Sequence, residues 1–133
     1  LTLLSEKELI KINLFCIKQV KMLNKKNIII CAEPYHCSTE QSIKYVNYFK
    51  KSGADIICIP SAFTMKTGKD HWETLVKARA IENKIYIIAP AQCGQNTSTR
   101  KTWGHSLIIN PNGKILCDLG NNAGYRVLRL KND

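Results

Sequence analysis

The chain has 133 residues, of which 44% are hydrophobic, and a formal charge of +10 from 20 basic and 10 acidic side chains. That length holds one domain at most, and the apolar share suffices for a sizeable core. No run of about 18 apolar residues occurs, which excludes a transmembrane helix, and no basic-then-apolar leader is present, so the cytoplasm is the expected location.

The charge excess is nearly all lysine, scattered along the chain; arginine occurs only as Arg79, Arg100, Arg126 and Arg129. A bare excess without clustering is weak grounds for a nucleic-acid role, so neither a nucleic acid nor a membrane is expected as a partner. The six cysteines are Cys16, Cys31, Cys37, Cys58, Cys93 and Cys117. They form no C-x-x-C pair and several lie inside apolar runs, which predicts reduced, mostly buried thiols rather than disulfides.

In chain order, "ELIKINLF" alternates around Lys11 and predicts a strand or strand end. Residues 16–27 are Lys-rich and read as helix or loop. "IIIC" at 28–31 fits a buried strand, and "AEPYHCSTEQ" a turn. Ile43, Tyr45, Val46 and Phe49 recur at helical spacing, and Gly53 follows as a C-cap. A strand over 55–59 then opens into the loop Pro60-Ser61-Ala62-Phe63-Thr64. A helix over 71–83, a strand over 84–92 and a polar loop from Gly94 to Gly104 come next. "SLII", a turn at Asn110-Pro111-Asn112-Gly113 and "KILCDL" predict a hairpin, and "YRVLRLK" at 125–131 a last strand. The order is that of an α/β fold with helices on a sheet. In such folds functional groups gather at the carboxyl ends of strands, which points to loops 60–71 and 90–104.

Loop 60–71 offers the hydroxyls of Ser61 and Thr64 and an aromatic wall from Phe63 and Trp72, which suits a small polar substrate. The plainer alternative is a tight strand-to-helix connection whose hydroxyls cap backbone groups, with Asp70 capping the helix. Cys37, ahead of an amphipathic helix, is the best nucleophile candidate, because amides and dipole at a helix start favour a thiolate. Cys31, His36 and Cys37 lack a fourth ligand at standard spacing, so no metal is expected, and no cofactor. His105 reads as a hydrogen-bonded structural residue, and Arg79 with Glu82 as a local ion pair on a helix.

"GADIICIPSAFTMKTGKDHWETLVKARAIENKIYIIAPAQCG" followed by "TWGHSLIINPNGKIL" resembles the nitrilase superfamily of carbon–nitrogen hydrolases, nearest the branch of small amidases that includes omega-amidase and the Nit proteins. PSAFT, TG, HWE, RAIEN, APAQ, GHS and NP-x-G occur in the family's order, from about Ser52 to Gly124. The resemblance implies a partial α-β-β-α sandwich, a small amide or nitrile substrate, and association with itself. It also implies a Glu-Lys-Cys triad. The Cys forms a thioester, the Lys steadies the oxyanion and the Glu is the general base.

Carried over residue by residue, spacing from Gly53 puts the nucleophile at Cys37, although the flanking strand and the usual Asp and Arg are absent there. Cys31 has the better strand context at the wrong distance. "ELIKINLF" makes Lys11 the match for the oxyanion Lys, with Cys16 where the family has Asp. The base belongs upstream of Lys11; Glu33 lies on the wrong side and does not take the role. Pro60, Ser61, Ala62, Phe63 and Thr64 match the substrate-side wall. Residues 1–15 and 52–124 thus keep the pattern and 16–51 lose it. The expectation is a truncated, internally altered member with little turnover of its own, the alternative being a non-catalytic, self-associating module.

Overall fold

The computed structural model of the chain describes residues 5–22 and 39–130. The first element is a helix, α1 (Glu6–Met22), where alternation around Lys11 predicts a strand. Its start explains the difference. The Glu8 carboxylate accepts from the Ser5 amide at 2.7 Å and the Ser5 hydroxyl at 2.6 Å, while the Glu8 amide donates to Ser5 Oγ at 3.4 Å. This reciprocal capping box satisfies backbone donors that the first helical turn leaves open. Ile10, Asn13 and Ile17, spaced three and four apart, turn one face of the helix inward.

Helix α2 (Thr39–Lys51) buries Tyr45, Val46 and Phe49. It ends as its sequence suggests: Gly53 takes φ +93°, and the Gly53 and Ala54 amides close onto the carbonyls of Lys50 and Phe49 at 2.8 and 3.0 Å.

Strand β1 (Ile56–Cys58) follows. A helical turn α3 (Met65–Thr67), a π turn over Gly68–Trp72 and helix α4 (Glu73–Asn83) then run on from one another. Thr64, not Asp70, is the N-cap, accepting from the Thr67 amide at 3.4 Å. Asp70 falls inside the π turn because the helical path begins earlier than the apolar spacing of 71–83 suggests. At the other end Lys84 adopts the left-handed conformation and its amide closes on Ala80 and Ile81.

Strands β2 (Tyr86–Ala89), β5 (Leu107–Ile109) and β6 (Ile115–Asp118) complete a four-stranded sheet in the order β1-β2-β5-β6. Only the β1–β2 pair is parallel. Ile57, Ile87 and Ile109 stand in register across it and are fully buried, with Ala89 and Leu107 on the same face. They form one core with Val46 and Phe49 of α2 and Val76 and Ala80 of α4. Each such large side chain contributes about 1.5–3 kcal/mol on burial. The predicted hairpin is present. Asn110 Oδ1 accepts from the amides of Asn112 and Lys114 at 3.1 and 2.9 Å, and Gly113 sits at φ +80°.

The expected polar loop after Cys93 is instead a small hairpin, β3 (Cys93–Gln95) and β4 (Lys101–Trp103). Its six residues include a glycine and three polar side chains, and the one buried among them is Thr102, so it carries no apolar alternation to read. The reverse holds for "YRVLRLK": residues 122–130 form no strand, and Tyr125 and Val127 are 88% and 82% exposed. Of the four cysteines among the described residues only Cys117 is buried; Cys16 is exposed and Cys58 and Cys93 are half-buried, all as free thiols. Cys31 and Cys37, and the expected strand at 28–31, lie outside the described residues.

Candidate functional site: a strand-end wall

Beyond β1 the chain keeps pairing with the chain beyond β2. The Ile59 amide donates to the Ile88 carbonyl, the Ser61 amide to the Pro90 carbonyl, and the Gln92 amide to the Ser61 carbonyl, each at 2.9 Å. Loops 60–64 and 90–92 therefore leave the sheet side by side at the carboxyl ends of two neighbouring strands, the place where α/β sheets put their sites.

The β3–β4 hairpin then closes over the same loop. The Trp103 amide donates to the Phe63 carbonyl at 2.9 Å, and Thr64 pairs with Thr102. An Arg100 guanidinium nitrogen donates to the Ala62 carbonyl at 3.3 Å. Every residue from Ser61 to Thr64 is thus tied to the segment 90–103. Gly68 lets the hairpin approach: a Cβ there would lie 2.3 Å from Cβ and Cγ of Trp103.

Behind the loop, Phe63 and Trp72 meet with ring centroids 5.2 Å apart. The Trp72 indole N–H donates to the His105 carbonyl at 2.7 Å. His105 sits at φ +57°, stacks on Trp103 at 4.5 Å, and places Nδ1 2.9 Å from an Asp118 carboxylate oxygen. All its polar contacts go to the framework, so it is the structural residue its sequence context suggests. Arg79 and Glu82 form the expected helical ion pair at 2.7 Å.

The wall's hydroxyls divide. Thr64 Oγ1 is used within the loop, on Thr67 Oγ1 at 2.9 Å and on the helix cap. The plainer reading of capping hydroxyls holds for that residue. Ser61 Oγ is buried and has no hydrogen-bond partner among the described residues. Ala62 and Pro60 face solvent.

The catalytic candidates stand apart from this well-connected loop. Lys11 is exposed on α1 and has no ion-pair partner among the described residues. Cys37, its alternative Cys31, and Glu33 and His36 lie outside the described residues. Among the described residues no three His, Cys, Asp or Glu side chains come together as a metal site, and no helix is long and apolar enough to cross a membrane. Two contributors escaped the sequence reading, Arg100 and Trp103. The cue was a basic side chain three residues before an aromatic one, inside a segment that otherwise reads as loop.

The family model for carbon-nitrogen hydrolases matches residues 28–129. The deaminated glutathione amidase of Synechocystis sp. is 49% identical over 86 residues, which are 65% of this chain and 32% of that protein. The enzyme of the same name from Dictyostelium discoideum is 51% identical over 73 residues, 55% of this chain and 25% of its own length. This chain therefore spans a third or less of these curated relatives. In structure it superposes on the Caenorhabditis elegans NitFhit protein with a TM-score of 0.57 and 40% identity, over 59% of this chain and 19% of that one. Saccharomyces cerevisiae Nit3, a member of branch 10 of the nitrilase superfamily, gives a TM-score of 0.59 at 27% identity, over 72% of this chain and 34% of that one. Amidases of the superfamily from Nesterenkonia, at 23% identity and a TM-score of 0.58, share the fold. With the family model covering most of its length, the chain belongs to the carbon–nitrogen hydrolase family.

Proposed function

We propose that this chain hydrolyses the carbon–nitrogen bond of small amides and does so weakly on its own. The single observation behind the reading is the strand-end wall: Pro60 to Thr64, pinned by the 90–103 segment in a family whose curated relatives include amidases.

In this reading the Cys37 thiol gives up its proton and its sulfur bonds to the amide carbon. The Lys11 ammonium faces the oxyanion of the tetrahedral adduct. The carbon–nitrogen bond breaks, the amine departs with a proton, and a thioester remains. Water then breaks the thioester, restoring the thiol and releasing the acid. Weak turnover follows from two features. Lys11 stands exposed on α1, where water competes for its charge. No residue of the chain is assigned the general-base role, and loss of one member of a coupled triad removes most of its activity.

The test is release of ammonia from succinamate by the full chain. Slow release that is lost in Cys37→Ala and kept in Cys31→Ala is the expected result. Release that survives Cys37→Ala would overturn the assignment, and fast release lost in that variant would overturn the weakness while keeping the nucleophile.

A further inference from the structure

The segment after β6 is shaped as a strand and pairs with nothing among the described residues. The turn before it is tied down: the Leu119 amide donates to the Ser106 carbonyl at 3.1 Å, and the His105 amide to the Gly120 carbonyl at 2.6 Å. Residues 123–130 then form no helix, make no turn or bend and take no positive φ, which leaves a straight, extended run. No backbone hydrogen bond joins residues 122–130 to another described residue. An open row of amides and carbonyls is a template for a strand from another chain.

The side chains are sorted as in a strand, where successive residues point to opposite sides. Tyr125 and Val127, 88% and 82% exposed, share one side with Arg129. Leu128, 38% exposed, and the half-buried Leu130 share the other with Arg126. One side is thus turned to water and the other toward the molecule. The run carries two arginines and no acidic residue, so a strand laid against it must keep cations away from both.

We infer that residues 124–130 of two copies of this chain pair as an antiparallel two-stranded ribbon, with the two-fold axis at Val127. The sorting of sides and the charges select this register. Two copies that keep their water-facing sides together must match odd positions with odd ones. Centred on Val127, the ribbon sets Tyr125 opposite Arg129 of the other copy, twice by symmetry, and Arg126 opposite Leu128. Each arginine then meets an aromatic or aliphatic side chain and never another arginine. A slip that sets Val127 opposite Leu128 opposes Arg126 to Arg129 in both halves, and centring on Arg126 opposes it to itself. Like charges in direct opposition destabilise a strand pair. The ribbon is separate from the loop 60–64 site, so it holds or fails independently of any amide hydrolysis.

The test is sedimentation velocity on the full chain from about 1 to about 200 µM, because a two-stranded ribbon is marginal by itself and micromolar association is expected. Monomer should give way to dimer with no larger species, since a two-fold contact closes. Val127→Pro and Leu128→Pro are measured beside it, with circular dichroism as the check on folding. Amides alternate in direction along a strand, so one of the two prolines removes a donor that faces the partner and should abolish the dimer. Tyr125→Ala should weaken it about tenfold, as symmetry counts the lost pair twice. Under mild oxidation Val127→Cys should give a disulfide joining position 127 of two copies, found by mass spectrometry. Arg126→Cys and Leu128→Cys should not, since their Cα atoms would stand beyond the bridging limit of about 7 Å.

A chain that stays monomeric at the top of that concentration range overturns the inference. So does a dimer that both proline variants keep. A cross-link at 126 or 128 in place of 127, or cross-links confined to the native cysteines, would place the contact elsewhere and overturn it as well.

Discussion

The strand-end wall and helix α1, which carry the two halves of the proposed site, are held in opposite ways. The wall is fixed by backbone hydrogen bonds to a second loop and a hairpin, with the Phe63, Trp72, Trp103 and His105 rings packed behind it. Its ties are main-chain to main-chain at Ser61 and Phe63, and Ala62 is held by the Arg100 side chain. Helix α1 has a good N-terminal cap, but among its described side chains it buries Asn13 and Ile17 and leaves Ile12, Phe15 and Met22 48%, 63% and 70% exposed. Lys11 shares that outer environment. Backbone pairing fixes the shape of the wall whatever α1 does, whereas the role proposed for Lys11 would need its side chain placed within tenths of an ångström.

This contrast can be broken by mutation, most sharply at Trp72. It is 2% exposed, packs on Phe63 and bonds the His105 carbonyl. Trp72→Ala should cost about 3–5 kcal/mol in urea unfolding, since it opens a cavity and orphans a carbonyl. A cost below about 1 kcal/mol would mean the wall is not the rigid half of the molecule.

Ile17 is the matching probe on α1, 3% exposed at the centre of its inner face. Ile17→Ala should cost about 2 kcal/mol, the low end for a buried isoleucine, because Ile12 and Phe15 of the same helix are left exposed. Should Ile17→Ala match Trp72→Ala, α1 is as firmly built in as the wall.

The smallest effect is electrostatic. Hydrogen bonds from the Ser5 side chain and then the Ser5 backbone lower the Glu8 carboxyl below its ordinary value. A depressed carboxylate lends stability that is present above the unfolded-state value and lost as pH falls through the lower folded-state value. Far-ultraviolet ellipticity should therefore decline slightly as acid is added through that window. Glu8→Gln should flatten the decline.

Much of the wall region is readable without coordinates because its signals are local and agree with one another. Apolar runs at Ile56 and Ile87, the Asn110–Gly113 turn and the left-handed Gly53 each specify one conformation. The misreadings come from signals that need a partner. Alternation at Lys11 mimics a strand, yet the Ser5–Glu8 box three residues upstream decides for helix. The same alternation at Tyr125 and Val127 describes a segment that could pair but that no neighbouring strand meets among the described residues. The β3–β4 hairpin hides for the converse reason: its partner is present, but the side chain it buries, Thr102, is polar, so no apolar alternation marks it. Arg100 was invisible as a wall residue because its bond spans 38 positions of chain.

Gly68 and Trp103 share one volume: the indole occupies the space where any other residue at 68 would start its side chain. The two positions are in effect a single site with two addresses. Across sequences of this fold they should drift together, a side chain at the first being affordable only where the second has shrunk. A chain that breaks that rule would have to route its hairpin away from the loop, and with it the guanidinium that reaches across.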